Sequence, residues 1–295
     1  MRLKPFEFYH PSSLRDLFDL LESHGGQTKL IAGGTDLLVQ MKQKLIQPKV
    51  LINLLGLNGL RGIEQEGDSL RIGALSRHGD LEHSDLLQGG WKLLALAAHK
   101  IGSPQIRHLG TLGGNLCNAS PSADTAPALL VLEAEVLIAS RHGERKLPLE
   151  VFFHGPGQSE LRQDEVLKAV ILRRCPEESR FSYLKLGRRK SMDLALASVA
   201  VLLTVDRTEK KFKTVRIALG SVSPTPIRAK EAERLLEGQP INMNLIEQAA
   251  ELGQKGCQPI SDIRASSEYR RKVVKVLIER AIRESLGLPI PATGI

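Results

Sequence analysis

The feature that most constrains this chain is a repeated use of adjacent glycines beside a hydroxyl side chain. The strand-like run Thr28-Lys29-Leu30-Ile31 leads directly into Ala32-Gly33-Gly34-Thr35-Asp36. A second pair stands in Thr111-Leu112-Gly113-Gly114-Asn115, inside a stretch of small residues from Ile101 to Asp124 that reads as one long loop. Single glycine pairs most often serve as turns. Adjacent glycines also let backbone N–H groups converge on an anion without interference from a Cβ. Thr35 and Thr111 can add hydroxyl donors. After Gly34, Leu38, Met41 and Leu45 recur at helical spacing, with Thr35 or Asp36 available as a cap, so the first loop opens a helix. Unpaired N–H groups at such a position favour a phosphate. Asp36 is the exception, a carboxylate tolerable there only as a cap or as a partner for a ribose hydroxyl. Two loops of this kind suit a pyrophosphate gripped from both sides, as in a dinucleotide.

The remainder divides into three units. Residues 1–57 alternate helix, strand, helix, strand: an amphipathic helix capped by Ser12 and ended by His24-Gly25-Gly26, the strand Lys29–Ile31, the helix after the first loop, and the strand Lys49–Asn53. Residues 58–177 contain a hairpin turning at Gly67-Asp68, a helix from Gly90 to Lys100, a second hairpin around His142-Gly143, and a strand from Glu165 to Arg173 that includes Leu167. Residues 178–295 carry strands near Arg180–Leu186, Ser198–Asp206 and Thr214–Val222. These are followed by helices near Ala229–Leu236, Leu245–Leu252 and Ser267–Leu286. Strands followed by helices give an α+β layer.

Several classes of protein are disfavoured. No G-x-G-x-x-G follows a strand and no GKS or GKT phosphate loop occurs, against a Rossmann or kinase-like site. No G-x-S-x-G elbow supports a hydrolase. Cys117, Cys175 and Cys257 form no CxxC pair and the histidines show no metal spacing, so no metal site is expected. Cys117 reads as a small buried filler. Apolar runs such as Ala195–Val205 are too short to span a bilayer, and Met1–Pro5 lacks the apolar segment of an export signal, so a cytoplasmic location is expected. The net charge of +8 sits entirely in residues 178–295. With 4% aromatic residues and no nucleic-acid motif, it reads as a docking face for an acidic partner rather than a nucleic-acid site.

Beyond the two loops, the chain carries Ile101-Gly102-Ser103-Pro104-Gln105-Ile106-Arg107 before the second pair and Asn118-Ala119-Ser120-Pro121-Ser122-Ala123-Asp124 after it. Gly73-Ala74-Leu75-Ser76-Arg77-His78 lies upstream, Ser221-Val222-Ser223-Pro224-Thr225-Pro226-Ile227-Arg228-Ala229 lies downstream, and Pro5-Phe6-Glu7-Phe8-Tyr9-His10-Pro11 opens the chain. In this order the motifs resemble the FAD-binding (medium) subunit of the molybdenum hydroxylases, of the xanthine dehydrogenase and carbon monoxide dehydrogenase type, over nearly the whole chain. His108 and Leu109 depart from the family pattern, and Leu112 replaces a commoner Ile.

The resemblance implies an α+β, three-part FAD-binding fold of the vanillyl-alcohol-oxidase-like (PCMH) type, with a C-terminal α+β domain of the CO dehydrogenase flavoprotein type. It implies FAD on this chain, held by Lys29, Leu30, Ile31, Ala32, Gly33, Gly34, Thr35, Asp36, Thr111, Leu112, Gly113, Gly114 and Asn115. Ile101 would pack against the cofactor, Asp124 would accept from adenosine hydroxyls or adenine, and Leu167 would serve the adenine end. Lys185 would approach the isoalloxazine, with Leu194 beside the ring. A bulky side chain at Gly33 or Gly114 would abolish binding with limited loss of fold.

Partners would be a large subunit with a molybdenum cofactor and a small subunit with two [2Fe-2S] centres, in a dimer of heterotrimers. Electrons would pass through this chain to an external acceptor, and no side chain here would act as acid or base on the organic substrate. A self-contained FAD oxidase or dehydrogenase of the same fold class, and an assembly subunit that has lost FAD, are the rival readings.

Overall fold

The computed structural model describes residues 3–189, 191–206 and 208–290. The first two residues of the Met1–Pro5 reading and the last five of the third unit lie outside the described residues.

The first part consists of β1 (Glu7–Tyr9), α1 (Leu14–His24), β2 (Thr28–Ile31), α2 (Leu37–Lys42) and β3 (Val50–Asn53). Its three strands form a parallel sheet in the order β1-β3-β2. The cap of α1 is Ser13, not Ser12. Ser13 Oγ accepts from the Asp16 N–H at 3.1 Å and Asp16 accepts in return from the Ser13 N–H at 3.1 Å. That reciprocal pair needs a three-residue spacing, which only Ser13 has. Leu17, Phe18 and Leu21 bury one face of α1 in a core with Val50 and Ile52. The helix after the first glycine loop is shorter than its spacing predicts. Met41 is buried, but α2 stops at Lys42, Lys44 takes φ +63°, and Leu45 is 70% exposed.

The second part contains β4 (Ile63–Glu66), β5 (Ser69–Gly73), α3 (His78–Glu82), α4 (Lys92–His99), α5 (Pro104–Leu109), α6 (Leu112–Cys117), α7 (Thr125–Val131), β6 (Glu135–Ser140), β7 (Gly143–Pro148), a small hairpin of β8 (Phe153–Gly155) and β9 (Gln158–Ser159), and β10 (Val166–Arg173). Five strands form an antiparallel sheet ordered β4-β5-β10-β6-β7. Leu70, Ile72, Val136, Ile138, Val170 and Leu172 alternate along their strands and meet Leu93, Leu94, Leu112, Leu116 and Leu129 in the main core. Each such side chain, fully buried, contributes roughly 1.5–3 kcal/mol. The stretch from Ile101 to Asp124 is not one long loop: α5 and α6 occupy much of it. Both start on hydroxyl caps, with Ser103 accepting from the Ile106 N–H and Thr111 from the Gly114 N–H.

The third part has β11 (Arg180–Leu186), β12 (Ala197–Asp206), β13 (Lys211–Gly220), β14 (Ile227–Arg228), α8 (Lys230–Leu236), α9 (Met243–Lys255) and α10 (Ser267–Leu286). The antiparallel sheet runs β11-β12-β13-β14. Val199, Val201 and Leu203 of β12 face the helices, where Val274, Ile278 and Ile282 of α10 join them. The alternate residues Ala200 and Leu202 enter the main core. Period two therefore sends one strand into both cores. Every residue of α7 is buried, with β12 and β13 among its neighbours. No helix among the described residues is long and apolar enough to cross a membrane.

Candidate functional site

The first glycine loop begins where β2 ends. Gly34 takes φ +69°, a left-handed conformation that side chains rarely adopt. Gly33 has a different reason to be glycine. A Cβ there would lie 2.6 Å from the Leu109 carbonyl carbon and 2.9 Å from Gly110 Cα, and closer still to the Leu109 oxygen. The two glycine loops thus touch, backbone to backbone, at Gly33. The expectation that a side chain at Gly33 spares the fold is corrected, because the first thing it meets is the other loop. Among the described residues, the N–H groups of Gly33, Gly34 and Thr35 make no backbone hydrogen bond. Asp36 caps α2 with its backbone and not its side chain. Burial pushes its carboxyl pKa up, opposed by a hydrogen bond from Thr35.

The second loop differs. The N–H of Leu112 donates to Ser76 O at 2.9 Å, Gly113 to Ala74 O at 2.7 Å, Gly114 to Thr111 Oγ1 at 3.1 Å and Asn115 to Thr111 O at 3.0 Å. All four donors are already bonded, so this loop does not offer a backbone nest as the first does. Its side chains carry the polar capacity. Thr111 accepts at Oγ1 and keeps its own proton to donate. Asn115 Oδ1 accepts from Thr125 Oγ1 at 2.6 Å, and the amide NH₂ has no partner among the described residues. Gly113 packs against Ala74, where a Cβ would approach the Ala74 Cβ to 2.7 Å.

Between the loops lies a cleft of about 690 Å³, within the range of ligand pockets. Lys29, Leu30, Ile31, Ala32, Gly33, Gly34, Thr35, Asp36, Ile101, Thr111, Gly114, Asn115, Asp124 and Leu194 line it. Four of the predicted residues do not. Leu112 and Gly113 lie behind the wall, and Leu167 is sealed in the main core. Leu167 belongs to β10 at the centre of its sheet, where a side chain on the core face has no route to the cleft. Lys185 also lies off the cleft wall, lining a neighbouring recess of about 460 Å³. It reaches the cleft through Asp124, with Nζ 2.7 Å from Asp124 Oδ2 and 2.9 Å from Lys100 O. Tyr183 donates to Asp124 Oδ1 at 3.3 Å.

The Asp124–Lys185 contact brings together two residues expected to serve different parts of the cofactor. Asp124 is expected at the adenosine and Lys185 at the isoalloxazine, yet the two form one buried ion pair. Burial raises the Asp124 carboxyl to about 6, and the Lys185 charge and its hydrogen bonds hold it from rising further. Cys117 lines the cleft as well, its thiol pushed up to about 12 by burial. His108, a departure from the family pattern, is turned to Pro104 O at 2.7 Å and does not line the cleft.

Sequence reasoning missed Gln40, His78, Asn118, Ser122 and Met192, all of which line the cleft. Gln40 Nε2 donates to Asn118 Oδ1 at 3.3 Å, a bridge between α2 and the end of α6. The signal for His78 was the motif Gly73–His78 itself. Among the described residues, Lys29 is the only cationic side chain on the cleft wall, so an anion here would be held chiefly by neutral donors.

An α+β chain whose cleft of this size opens between two touching glycine loops has the form of a dinucleotide-binding protein. Residues 4–174 match the FAD binding domain in molybdopterin dehydrogenase, and residues 182–285 match the CO dehydrogenase flavoprotein C-terminal domain. The chain is 34% identical over 285 residues to the xanthine dehydrogenase FAD-binding subunit of Escherichia coli O157:H7, covering 96% of this chain and 97% of the relative. It is 35% identical to the nicotine 6-hydroxylase medium subunit of Paenarthrobacter nicotinovorans, covering 97% and 99%. Among solved structures, carbon monoxide dehydrogenase from Hydrogenophaga pseudoflava superposes with a TM-score of 0.94 at 32% identity, covering 97% of this chain and 99% of that one. The chain belongs to the FAD-binding subunits of the molybdenum hydroxylase family, and it is an oxidoreductase subunit whose cofactor is FAD.

Proposed function

We propose that this chain is the electron-transfer subunit of a molybdenum hydroxylase. It would stand between [2Fe-2S] centres on a small partner subunit and an external acceptor, while a large subunit with a molybdenum cofactor oxidises the substrate. The observation that carries this reading is the set of N–H groups at Gly33, Gly34 and Thr35, unbonded among the described residues, on a cleft also lined by the Thr111 hydroxyl and the Asn115 amide. Such a donor set suits a pyrophosphate, whose oxygens only accept. FAD, when bound, supplies the capacity to take up and release electrons. The protein holds the dinucleotide by the first loop's backbone and the second loop's side chains, packs Ile101 and Leu194 along the cleft, and sets the buried Asp124–Lys185 pair at one end. Leu112 and Gly113 support the second loop from behind, and Leu167 supports the sheet beneath. Residues 1–57, 58–177 and 178–295 act as the three structural units. The assembly is a cytoplasmic dimer of heterotrimers.

The test is anaerobic spectroscopy with candidate purines, aldehydes, N-heteroaromatics and carbon monoxide. In the assembled enzyme one of them bleaches the flavin. In the isolated chain none does, and dithionite bleaches both. Rapid bleaching of the isolated chain, with no molybdenum or iron present, would make it a self-contained dehydrogenase instead.

A further inference from the structure

His78 is a buried histidine on the cleft wall that no reading above uses. It is 3% exposed, yet it lines the cleft. Its backbone N–H donates to Gly110 O at 3.0 Å, which fixes the first residue of α3 to the entrance of the second glycine loop. Its ring edge lies under Gly110: a Cβ built there would sit 3.1 Å from His78 Cδ2 and 3.4 Å from Nε2. Gly110 is also the residue whose Cα Gly33 approaches. The imidazole therefore underlies the point where the two loops meet.

We infer that His78 is a cofactor-binding residue that presents Nε2–H to a pyrophosphate oxygen of the dinucleotide. This rests on the reading of the cleft as an FAD site. Nδ1 is sealed from solvent and has no hydrogen-bond partner among the described residues. A neutral imidazole carries one N–H and one lone pair. A buried N–H left without an acceptor is rarer than an unmatched acceptor, so the proton belongs on Nε2, on the Gly110 side. Burial, with the Arg107 guanidinium nearby, lowers the ring's pKa to about 4 and keeps it neutral at ordinary pH. Arg107 is itself engaged, with Nε on Glu82 at 2.5 Å and a further bond to Ile101 O at 3.0 Å. The result is a rigid, neutral donor beside loops whose shared wall carries, among the described residues, one cation, Lys29.

The test uses the full chain stripped of flavin, as wild type, His78→Phe and His78→Gln, titrated with FAD by flavin fluorescence. His78→Phe keeps a flat ring and loses the donor, and FAD binding is expected to weaken about 10- to 100-fold, the worth of one hydrogen bond to a charged group. His78→Gln restores an N–H and is expected to recover part of the loss. Equal FAD affinity for His78→Phe and wild type overturns the role of His78 and leaves the FAD reading standing. A wild type that binds no FAD overturns the FAD reading and this inference with it. Where His78→Phe fails to fold by circular dichroism, ring ¹⁵N resonances of the wild type decide. An Nε2-protonated ring whose Nε2 resonance shifts on FAD addition supports the inference; an Nδ1-protonated ring, or no shift, refutes it.

Discussion

Replacing Gly33 and Gly114 separately by alanine separates two uses of glycine that look identical in sequence. At Gly33 the backbone is not left-handed, so alanine is allowed by conformation and the cost is steric. The new methyl would fall within 2.6 Å of the Leu109 carbonyl carbon and 2.9 Å of Gly110 Cα. Both are backbone atoms, so no rotamer change relieves the contact and the loops must part. Overpacking of this kind costs about 1–3 kcal/mol, less about 0.4–1 kcal/mol for the lower entropy of the unfolded alanine chain. At Gly114 the methyl meets only Thr111 Oγ1, at 2.9 Å. Disturbing that cap costs about 1 kcal/mol, and alanine in a helix returns roughly 0.5–1 kcal/mol.

Gly33→Ala is therefore expected to melt lower than wild type, by roughly 2–4 °C for each kcal/mol lost, and Gly114→Ala to melt close to it. Scanning calorimetry of the flavin-stripped chain checks both. A titration with FAD adds a second readout: parting the loops moves the unbonded N–H groups of Gly33, Gly34 and Thr35, so Gly33→Ala should also bind FAD at least about tenfold more weakly, the effect of losing about one hydrogen bond to a charged group. A Gly33→Ala protein that melts and binds as wild type would refute the loop-to-loop contact.

Three further outcomes are expected. Lys185→Met leaves Asp124 buried without its cation and should destabilise the protein by about 3–5 kcal/mol. The loss should be smaller at pH 5 than at pH 8, because a carboxyl whose folded pKa is already raised loses stability as pH rises from its unfolded value through the folded one; equal losses at both pH values would count against a buried pair. His78 has the opposite sign: its folded pKa is depressed to about 4, so the wild type should lose roughly 3 kcal/mol as pH falls from about 6.5 to 4. That acid-side loss should be absent in urea titrations of His78→Phe. Leu167→Ala should cost about 2–5 kcal/mol as a core cavity while leaving the FAD dissociation constant of the folded protein unchanged; a large change in affinity would return Leu167 to the site.

Much of the fold was legible where local signals were strong. The hairpin of β4 and β5 follows from alternation around Gly67-Asp68, and α10 from the recurrence of Val274, Ile278 and Ile282 at four-residue spacing. β1 was not legible, because Glu7–Tyr9 is short and largely exposed and becomes a strand only by pairing with β3. α5 and α6 were hidden by proline, glycine and asparagine, which have poor helix propensity; α6 is held by the Thr111 cap and by the Gly113 N–H on Ala74 O, a contact from a distant segment. The two glycine motifs announced a cleft, but not that one loop offers its backbone and the other its side chains. That difference depends on which N–H groups other strands and turns have already bonded, and no local pattern records it.

The pairing of Asp124 with Lys185 explains why the third part of the chain is needed to complete the cleft. Asp124 immediately precedes α7, which is buried with the third sheet among its neighbours. Tyr183 and Lys185 are two residues apart on β11, so a strand's period of two puts both side chains on the same face, toward Asp124. Leu184 between them packs with the helices of the opposite core. The register across β11 and β12 sets Lys185 against Ser198 and Tyr183 against Ala200, and a slip of one residue would send Leu184 to Asp124 and both polar groups into the apolar core. The helices α8, α9 and α10 bury the other face of this sheet and so fix that register. The Asp124 end of the cleft therefore depends on α10, even though α10 contributes no lining residue to it. A carboxylate supplied by the second part of the chain stays charged there only while the third part delivers its lysine.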